Sequence, residues 1–428
     1  MKFYFISKYG DSLPIAYHMK QEGHQVKFFI SEKKNRDLYH GIFDIDTTPK
    51  PSKADYVIFD MVGGGTSADQ MRRQGYKVFG SSKLADDLEL KRGIGADFAK
   101  RAGVKVPPTI HFDKVDDGIA HIKKNMSKTW VFKPEKNLDL MSTTVSDDNE
   151  EQIVQLEMFK KRAGDLPFIL QEKIKGVEVS TEGWFNDNLW VSGVSITFEE
   201  KRLMTGNLGP NTGSANNIVT VIPGMKQPLF RKLLWPLTSL LRANHYVGPI
   251  DVNSIVAEDD RQPYFLEFTA RMGYDAIYPH LKQMNCEVGK YFADFIDGRM
   301  KKFPLGQNLF SGSERVSIPP YPDEEPAEKD LKMAKGVLIK GWKEVGPDFW
   351  PVDITMEGPG RMVCAGSING YIGVITGVGN SIKATAQNIY DKVKYIKAVN
   401  LQYRTDLGEG AEKNYSRLKE WGIINSKD

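Results

Sequence analysis

The first hundred residues alternate between short apolar runs and amphipathic segments, and this alternation most restricts what the chain can build. "KFYFIS" precedes "LPIAYHMKQEGHQV", whose apolar residues recur at helical spacing up to Gly23. "VKFFI", "ADYVIFDMV" and "YKVFG" follow as further strands, with "SADQMRRQG" as a helix between the last two. Strands alternating with helices predict a parallel, doubly wound sheet, here over residues 1–107. The paired prolines of "VPPT", Val106–Thr109, mark its end.

Beyond that point the pattern changes. "WVFKP" and "FILQEKI" read as strands around the helix "NEEQIVQLEMFKKRAG". "VEVSTEGWF" and "LWVSGVSITF" read as an antiparallel pair joined by "NDN". A helix is expected over "LFRKLLWPLTSLLRAN", then strands over "GPIDVNSIVA" and "PYFLEFTAR". "PYPDEEPAEKD" connects to a last segment ending in the helix "SIKATAQNIYDKVKYI". "TGNLGPNTGSANNI", Thr205–Ile218, has the turn-residue density of a long loop between strands. A chain of 428 residues exceeds one core, and the expected units are 1–107, 108–182, 183–312 and 313–428.

Composition removes several function classes. A net charge of +3 over this length does not suggest a nucleic-acid coat or a membrane surface. No stretch approaches the ~20 apolar residues of a membrane helix. Two cysteines, Cys286 and Cys364, cannot form a disulfide framework, so a cytoplasmic protein is expected. The seven histidines are scattered, without H-E-x-x-H. Walker A and G-x-S-x-G are absent. "GGGTSA", Gly63–Ala68, fits G-x-G-x-x-A and equally a tight strand-to-helix turn.

Four charged features stand out. Lys133 ends an apolar strand, where burial is costly without an anionic partner. Glu172 and Glu178 flank the connector "KIKG", which can offer backbone groups to a base edge; a β-bulge with exposed charges is the alternative. Asp251 and Glu267 sit on consecutive apolar strands, and facing carboxylates there invite a cation such as Mg²⁺. Arg271 follows close behind.

In this order, Lys133, Glu172/Glu178, Asp251, Glu267 and Arg271 resemble the ATP-grasp ligases, and among them the phosphoribosylamine–glycine ligase family. "FGSSKLADDLELKRGIGADFAKRAGV", "GPNTGS", "LEFTARMG" and "LQYRTDLG" carry the likeness across Phe79–Gly408. The resemblance implies an N-terminal doubly wound (pre-ATP-grasp) domain, a two-lobed ATP-grasp α+β core and a C-terminal α+β domain. It implies ATP and Mg²⁺ (or Mn²⁺) as cofactors and small-molecule substrates, an amino acid and a phosphorylated amine. The implied enzyme is a monomer or homodimer without membrane or nucleic-acid partners. The implied reaction joins glycine to 5-phosphoribosylamine through an acyl phosphate, giving glycinamide ribonucleotide for purine synthesis. Alternatives are a ligase with another amine acceptor and a non-catalytic nucleotide binder.

By the same resemblance Lys133 and Arg92 meet phosphates, with Lys91 an alternative to Arg92. Glu172, Lys173 and Ile174 form the adenine hinge, and Glu178 binds ribose. Asp251, Glu267 and Thr269 form the metal site, with Thr269 standing where the family has Asn. Arg271, Asn211, Thr212 and Gly213 line the reaction centre. Tyr9, Gly10, Asp11, Ser12, Gly63, Gly64 and Asp275 are expected at the substrate. The family's G-G-R-E-H-A is "SKYGDSLPIA" here, so Tyr9–Ser12 is expected to serve as the phosphate turn without its arginine and histidine. The glycine-rich flap after the phosphate lysine is also replaced, with Ser142, Thr143 and Thr144 as candidate substitutes.

Overall fold

A computed structural model describes residues 1–134, 144–146, 148–323 and 325–425. Ser142 and Thr143 lie outside the described residues, and Thr144 opens a short strand.

The first sheet contains β1 (Lys2–Ser7), β2 (Gln25–Ile30), β3 (Ile45–Asp46), β4 (Tyr56–Phe59) and β5 (Lys77–Phe79), in the order β3-β2-β1-β4-β5. Every pairing in it is parallel. Helices Leu13–Gln21 and Gly65–Arg73 supply crossovers, which makes it the doubly wound sheet expected. Its strand ends deliver Tyr9–Ser12 after β1 and Asp60–Gly64 after β4 to one edge.

The second sheet is antiparallel: β6 (Thr109–Phe112), β7 (Trp130–Pro134), β8 (Thr144–Val145) and β9 (Phe168–Glu172), in the order β6-β9-β7-β8. Helices Val115–Lys124 and Asn149–Ala163 pack on it. Trp130, Phe132, Leu156, Phe159, Phe168 and Leu170 form a core of their own, separate from the main one. A small separate core is what allows a lobe to move as a unit.

The third sheet holds β10 (Gly176–Asn186), β11 (Leu189–Trp190), β12 (Val194–Met204), β13 (Leu208–Ile222), β14 (Val247–Ala257), β15 (Pro263–Thr269), β16 (Phe310–Val316) and β17 (Phe349–Pro351). The hairpin β18 (Ile354–Met356) and β19 (Met362–Cys364) stands apart, and β20 (Gly373–Gly379) rejoins the large sheet. The order is β15-β14-β10-β12-β13-β16-β20-β17, with β11 on β10. One apolar core runs from Phe5 and Phe28 through Trp184, Ile250 and Phe292 to Val374 and Ile389.

Two segments differ from the sequence expectation. Thr205–Ile218 is no long loop: β12 and β13 form a hairpin whose turn is Thr205–Asn207. Its register steps from Arg202↔Asn211 to Glu200↔Asn216, so a bulge holds Thr212–Ala215. Glycine and asparagine are thus used for a positive φ at Gly206, Asn207 and Gly209 and for the bulge, within paired strands. The helix over Leu229–Asn244 is broken instead. A π turn (Phe230–Leu234), a 3-10 turn (Trp235–Leu237) and a short helix (Thr238–Ala243) follow one another, because Pro236 cannot donate into a continuous ladder.

Candidate functional site

The alternation of strand side chains builds a polar face across the third sheet. Glu182 pairs with Asp251 and Ser180 with Asn253 across β10 and β14. Asp251 pairs with Thr269 and Asn253 with Glu267 across β14 and β15. Ser180 pairs with Thr197 and Glu182 with Ser195 across β10 and β12. Glu178, Ser180, Glu182, Asp251, Asn253, Glu267 and Thr269 therefore share one face, joined along β12 by Glu199 and Lys201.

The carboxylates on this face perturb one another. Asp251 is pushed up to about 7, first by burial, with Glu267 adding repulsion and Ser180, Lys201 and Arg271 opposing. Its Oδ1 is buried and lacks a partner among the described residues. Glu182 rises to about 8 by burial and by the Asp251 charge, while its Oε1 accepts a 2.8 Å bond from Trp184 Nε1. Glu178 stays below the usual carboxylate range: desolvation pushes it up, but Lys201, Asn253 and Lys133 outweigh that. Asn253 Nδ2 donates to Glu178 at 2.9 Å.

Lys133, on β7 of the second sheet, reaches over this face. Burial lowers its pKa and Arg92 adds repulsion, while the charges of Glu267 and Glu178 raise it. Its Nζ also donates to Gln171 Oε1 at 2.8 Å. Two sheets thus bring one amine to an acidic face. Arg92 is the first residue of the helix Arg92–Arg101, whereas Lys91 is bonded to Asp87 at 2.7 Å.

The connector between β9 and β10 carries Lys173 and Ile174 just after Glu172. The N–H groups of Glu172 and Lys173 are already donated, to Pro108 (2.9 Å) and Thr129 (2.8 Å). Glu172 also pairs with Lys128 at 2.6 Å, and Lys173 Nζ donates to Ser146 O at 2.7 Å. In the bulge, Thr212 Oγ1 donates to Lys201 O at 2.8 Å, while Asn211 and Gly213 are exposed. Beyond Ser180↔Thr197, β10 and β12 are no longer paired. A cavity of about 330 Å³ opens there, lined by Glu178, Glu199, Phe198, Asn216 and Gly408 among others.

Arg271 Nε donates to Glu89 Oε1 at 3.0 Å, and its charge is felt by both Asp251 and Asp11. Asp275 is 1% exposed and is held by Arg315 (2.9 Å) and the Tyr371 hydroxyl (2.5 Å). Its carboxylate is thus held by two side chains, and its charge is felt by Glu199 on the polar face.

The N-terminal turns are tied to neighbouring side chains. Ser12 N–H and Oγ both donate to Asp60 Oδ2, at 3.0 and 2.7 Å. Gly10 N–H donates to Ser7 Oγ at 2.7 Å, and Tyr9 is 40% exposed. Gly63 and Gly65 N–H donate to the Asp86 carboxylate at 2.6 and 3.0 Å, with Gly64 capping the helix between them. The N–H groups of Ser12, Gly63 and Gly65 thus already hold carboxylates, and that of Gly10 a hydroxyl.

Sequence reasoning passed over Glu182, Glu199, Lys201, Asn253, Asp60 and Glu89. The alternation in "ITFEEKRLM" was available to place Glu199 and Lys201 with Thr197. Nothing local marks Asp60 or Glu89, whose roles come from contacts far along the chain.

Residues 94–276 match the phosphoribosylglycinamide synthetase ATP-grasp (A) domain. Phosphoribosylamine–glycine ligase of Caldanaerobacter subterraneus subsp. tengcongensis is 26% identical over 360 residues, covering 80% of this chain and 81% of the relative. The enzyme of the same name from Ralstonia nicotianae is 23% identical over 355 residues, with 80% and 81% covered. A crystal structure of phosphoribosylamine–glycine ligase from Thermotoga maritima superposes with a TM-score of 0.68 at 20% identity, over 95% of this chain and 100% of that one. A biotin carboxylase domain from Hydrogenobacter thermophilus, solved with MgADP and bicarbonate, gives a TM-score of 0.62 at 10% identity over 99% of each chain. Over residues 94–276 the chain thus matches the ATP-grasp (A) domain of the phosphoribosylglycinamide synthetase family, and along its length it shares the fold of the Thermotoga maritima ligase.

Proposed function

We propose that this chain is an ATP-dependent ligase that joins the carboxylate of an amino acid to an amine through an acyl phosphate. The relatives' shared name makes glycine and 5-phosphoribosylamine, giving glycinamide ribonucleotide for purine synthesis, the first reaction to assay. The observation that carries the reading is Lys133, brought from one sheet over the Glu178–Asp251–Glu267 face of another. A lysine reaching over buried carboxylates suits the binding of a triphosphate together with a cation.

Phosphoryl transfer needs charge neutralisation and in-line placement. Lys133 and Arg92 neutralise phosphate oxygens. Ile174 meets the base edge, since its two predecessors have spent their N–H groups, and Glu178 accepts the ribose hydroxyls. Asn211, Thr212 and Gly213 border the transferring group from the bulge. Arg271, fixed by Glu89, steadies the acyl phosphate.

The donor set fits Mg²⁺: Asp251 Oδ1 is orphaned, and Glu267 and Thr269 lie on the adjoining strand. Among the described residues no group of three His, Cys, Asp or Glu side chains could hold a metal alone, so phosphate oxygens and water would complete its shell. An ion held there by Asp251, Glu267 and Thr269 would supply Lewis-acid polarisation to bound phosphate.

Among the described residues no helix is long and apolar enough to cross a membrane. Both cysteines are free, which supports a reducing, cytoplasmic setting. ADP release that requires ATP, Mg²⁺, glycine and freshly generated phosphoribosylamine tests the proposal; release independent of the amino acid would refute it. A second reading, with another amine as acceptor, is favoured by the carboxylates that already occupy both N-terminal turns.

A further inference from the structure

The bulge at the reaction centre sits on a ribbon that the large sheet does not hold. β10 pairs with β12 only over Ser180–Glu182, and β16 pairs with β13 only from Asn216 to Val219. Past Glu200 and Asn216, β12 and β13 therefore have only each other as strand partners. This ribbon carries Lys201 and the Asn211–Gly213 bulge. A two-stranded ribbon alone is marginal in water. Met204 and Leu208 at its tip are exposed, so apolar burial does not anchor the tip.

The segment Arg404–Asp406 supplies the anchor from far along the chain. Arg404 is buried, and its Nη1 donates to Arg202 O at 2.7 Å and to Asn207 Oδ1 at 3.1 Å. Its Nε and Nη2 grip the two oxygens of Asp406 at 2.8 and 2.7 Å. Asp406 Oδ2 accepts from Gly206 N–H at 2.8 Å, and Thr205 Oγ1 accepts from Thr405 N–H at 3.0 Å. The buried Glu314 accepts from Arg404 N–H at 2.7 Å and from Asn216 Nδ2 at 3.3 Å, which ties the same segment to the far side of the bulge. One guanidinium thus meets both strands of the ribbon, in a forked geometry that a lysine does not reproduce. Thr212 Oγ1 donates to Lys201 O at 2.8 Å, so a shift of Arg202 is passed to the bulge.

We infer that Arg404 is a positioning residue for the ligase reaction: it latches the β12–β13 ribbon so that Lys201 and the Asn211–Gly213 bulge close the reaction centre against water. The inference rests on the ligase reading and adds the C-terminal segment to its machinery. Arg404 acts through Arg202 and Asn207 and needs no contact with substrate. With the ribbon released, water competes with the amine at the acyl carbon. The water oxygen forms a new C–O bond, and the C–O bond to phosphate breaks. Free amino acid, inorganic phosphate and one proton leave, so ATP is hydrolysed without product.

The test measures ADP and glycinamide ribonucleotide together, on the full chain with ATP, Mg²⁺, glycine and freshly generated phosphoribosylamine. The wild type is expected to release close to one ADP per product. Arg404→Lys keeps the charge and the main-chain contact to Glu314 but loses the fork. It is expected to raise ADP per product about three-fold or more, with KM for ATP within about three-fold of wild type. Loss of stability alone lowers the active fraction and leaves that ratio unchanged. Tryptic cleavage after Arg202 is expected to rise about ten-fold in the folded variant, which reports the freed ribbon without turnover. A wild-type ratio in the folded variant, or a raised ratio without faster cleavage, overturns the inference and leaves the ligase reading standing. If Arg404→Lys fails to fold, Thr205→Val at the exposed tip removes the tie to Thr405 and is expected to raise the ratio about two-fold; an unchanged ratio there overturns the inference. A wild type that forms no product removes the proposed reaction and the inference with it.

Discussion

Lys201 Nζ stands 3.1 Å from Glu178 Oε1 and 3.6 Å from Glu199 Oε2, one cation between two carboxylates on the rim of the cleft. Desolvation opposes its charge, but Glu178, Glu199 and Glu267 outweigh this and hold it protonated. Glu199 is itself pushed up to about 7, mainly by burial, despite Lys201. Removing the amine leaves Glu178 and Glu199 to repel each other, and Glu178 loses the partner that keeps it ionised. Lys201→Met is therefore expected to raise KM for ATP by about three- to ten-fold, roughly 0.7–1.4 kcal/mol. The effect is modest because the Glu178 side chain is 51% exposed, and it shrinks at high salt. ATP titrations at low and high ionic strength check this; a salt-independent KM equal to wild type would contradict the placement.

Lys133→Ala and Glu267→Ala act on the two sides of the cleft. Loss of Lys133 removes positive charge from the transferring phosphates, and loss of Glu267 removes a carboxylate beside Asp251. Each is expected to lower ADP formation by about 10²–10³-fold, the scale of losing one electrostatic group aimed at developing charge. Neither side chain belongs to an apolar core, so circular dichroism and melting should stay close to wild type. Wild-type turnover in either folded variant would refute the assignments.

Asp275 gives the opposite expectation. Arg315 is 10% exposed at its side chain and Asp275 only 2%, and the Tyr371 hydroxyl completes the arrangement. Breaking a buried pair leaves an uncompensated charge and costs about 3–5 kcal/mol. Asp275→Ala should thus lower Cm in urea strongly, while the KM for ATP in the fraction that folds stays near wild type. A stable variant with altered substrate KM would restore Asp275 to the substrate site.

The parallel sheet, the Lys133 strand and the Asp251/Glu267 strands were legible because local periodicity and strand-end charges carry them. The hairpin strand within Thr205–Ile218 was misread as a loop because its glycine, proline and asparagine look like punctuation. Pairing with Glu200 and Arg202, set by the sheet, overrides that local signal. Pro236 was visible in the sequence, yet the apolar spacing around it argued for one helix. Asp60 was least legible. It ends an ordinary buried strand, and only the fold brings Ser12, 48 residues away, under its Oδ2. Likewise, Gly63–Ala68 matched a phosphate-turn pattern, but Asp86 from the next helix fills the turn.

Asp60 also predicts a pH dependence with a definite sign. Burial and the Asp11 charge lift its carboxyl to about 7 in the folded protein, against about 3.9 in an unfolded chain. Between these values the folded state holds a proton that the unfolded state has lost, so this group's contribution to stability falls as pH rises from about 4 through 7. His18, lowered to about 4 by burial, and His280, lowered to about 3 by burial, pull the other way, each favouring the folded state as pH rises towards 6.5. The wild-type curve mixes these trends, and a matched variant separates them. Asp60→Asn keeps the shape and removes the titration. Its melting temperature relative to wild type should therefore rise by about 2–5 °C between pH 4.5 and pH 7.5. Scanning calorimetry of both proteins across that range measures the difference; a constant gap would mean that Asp60 is ionised throughout, with a cation beside it that the described residues do not supply.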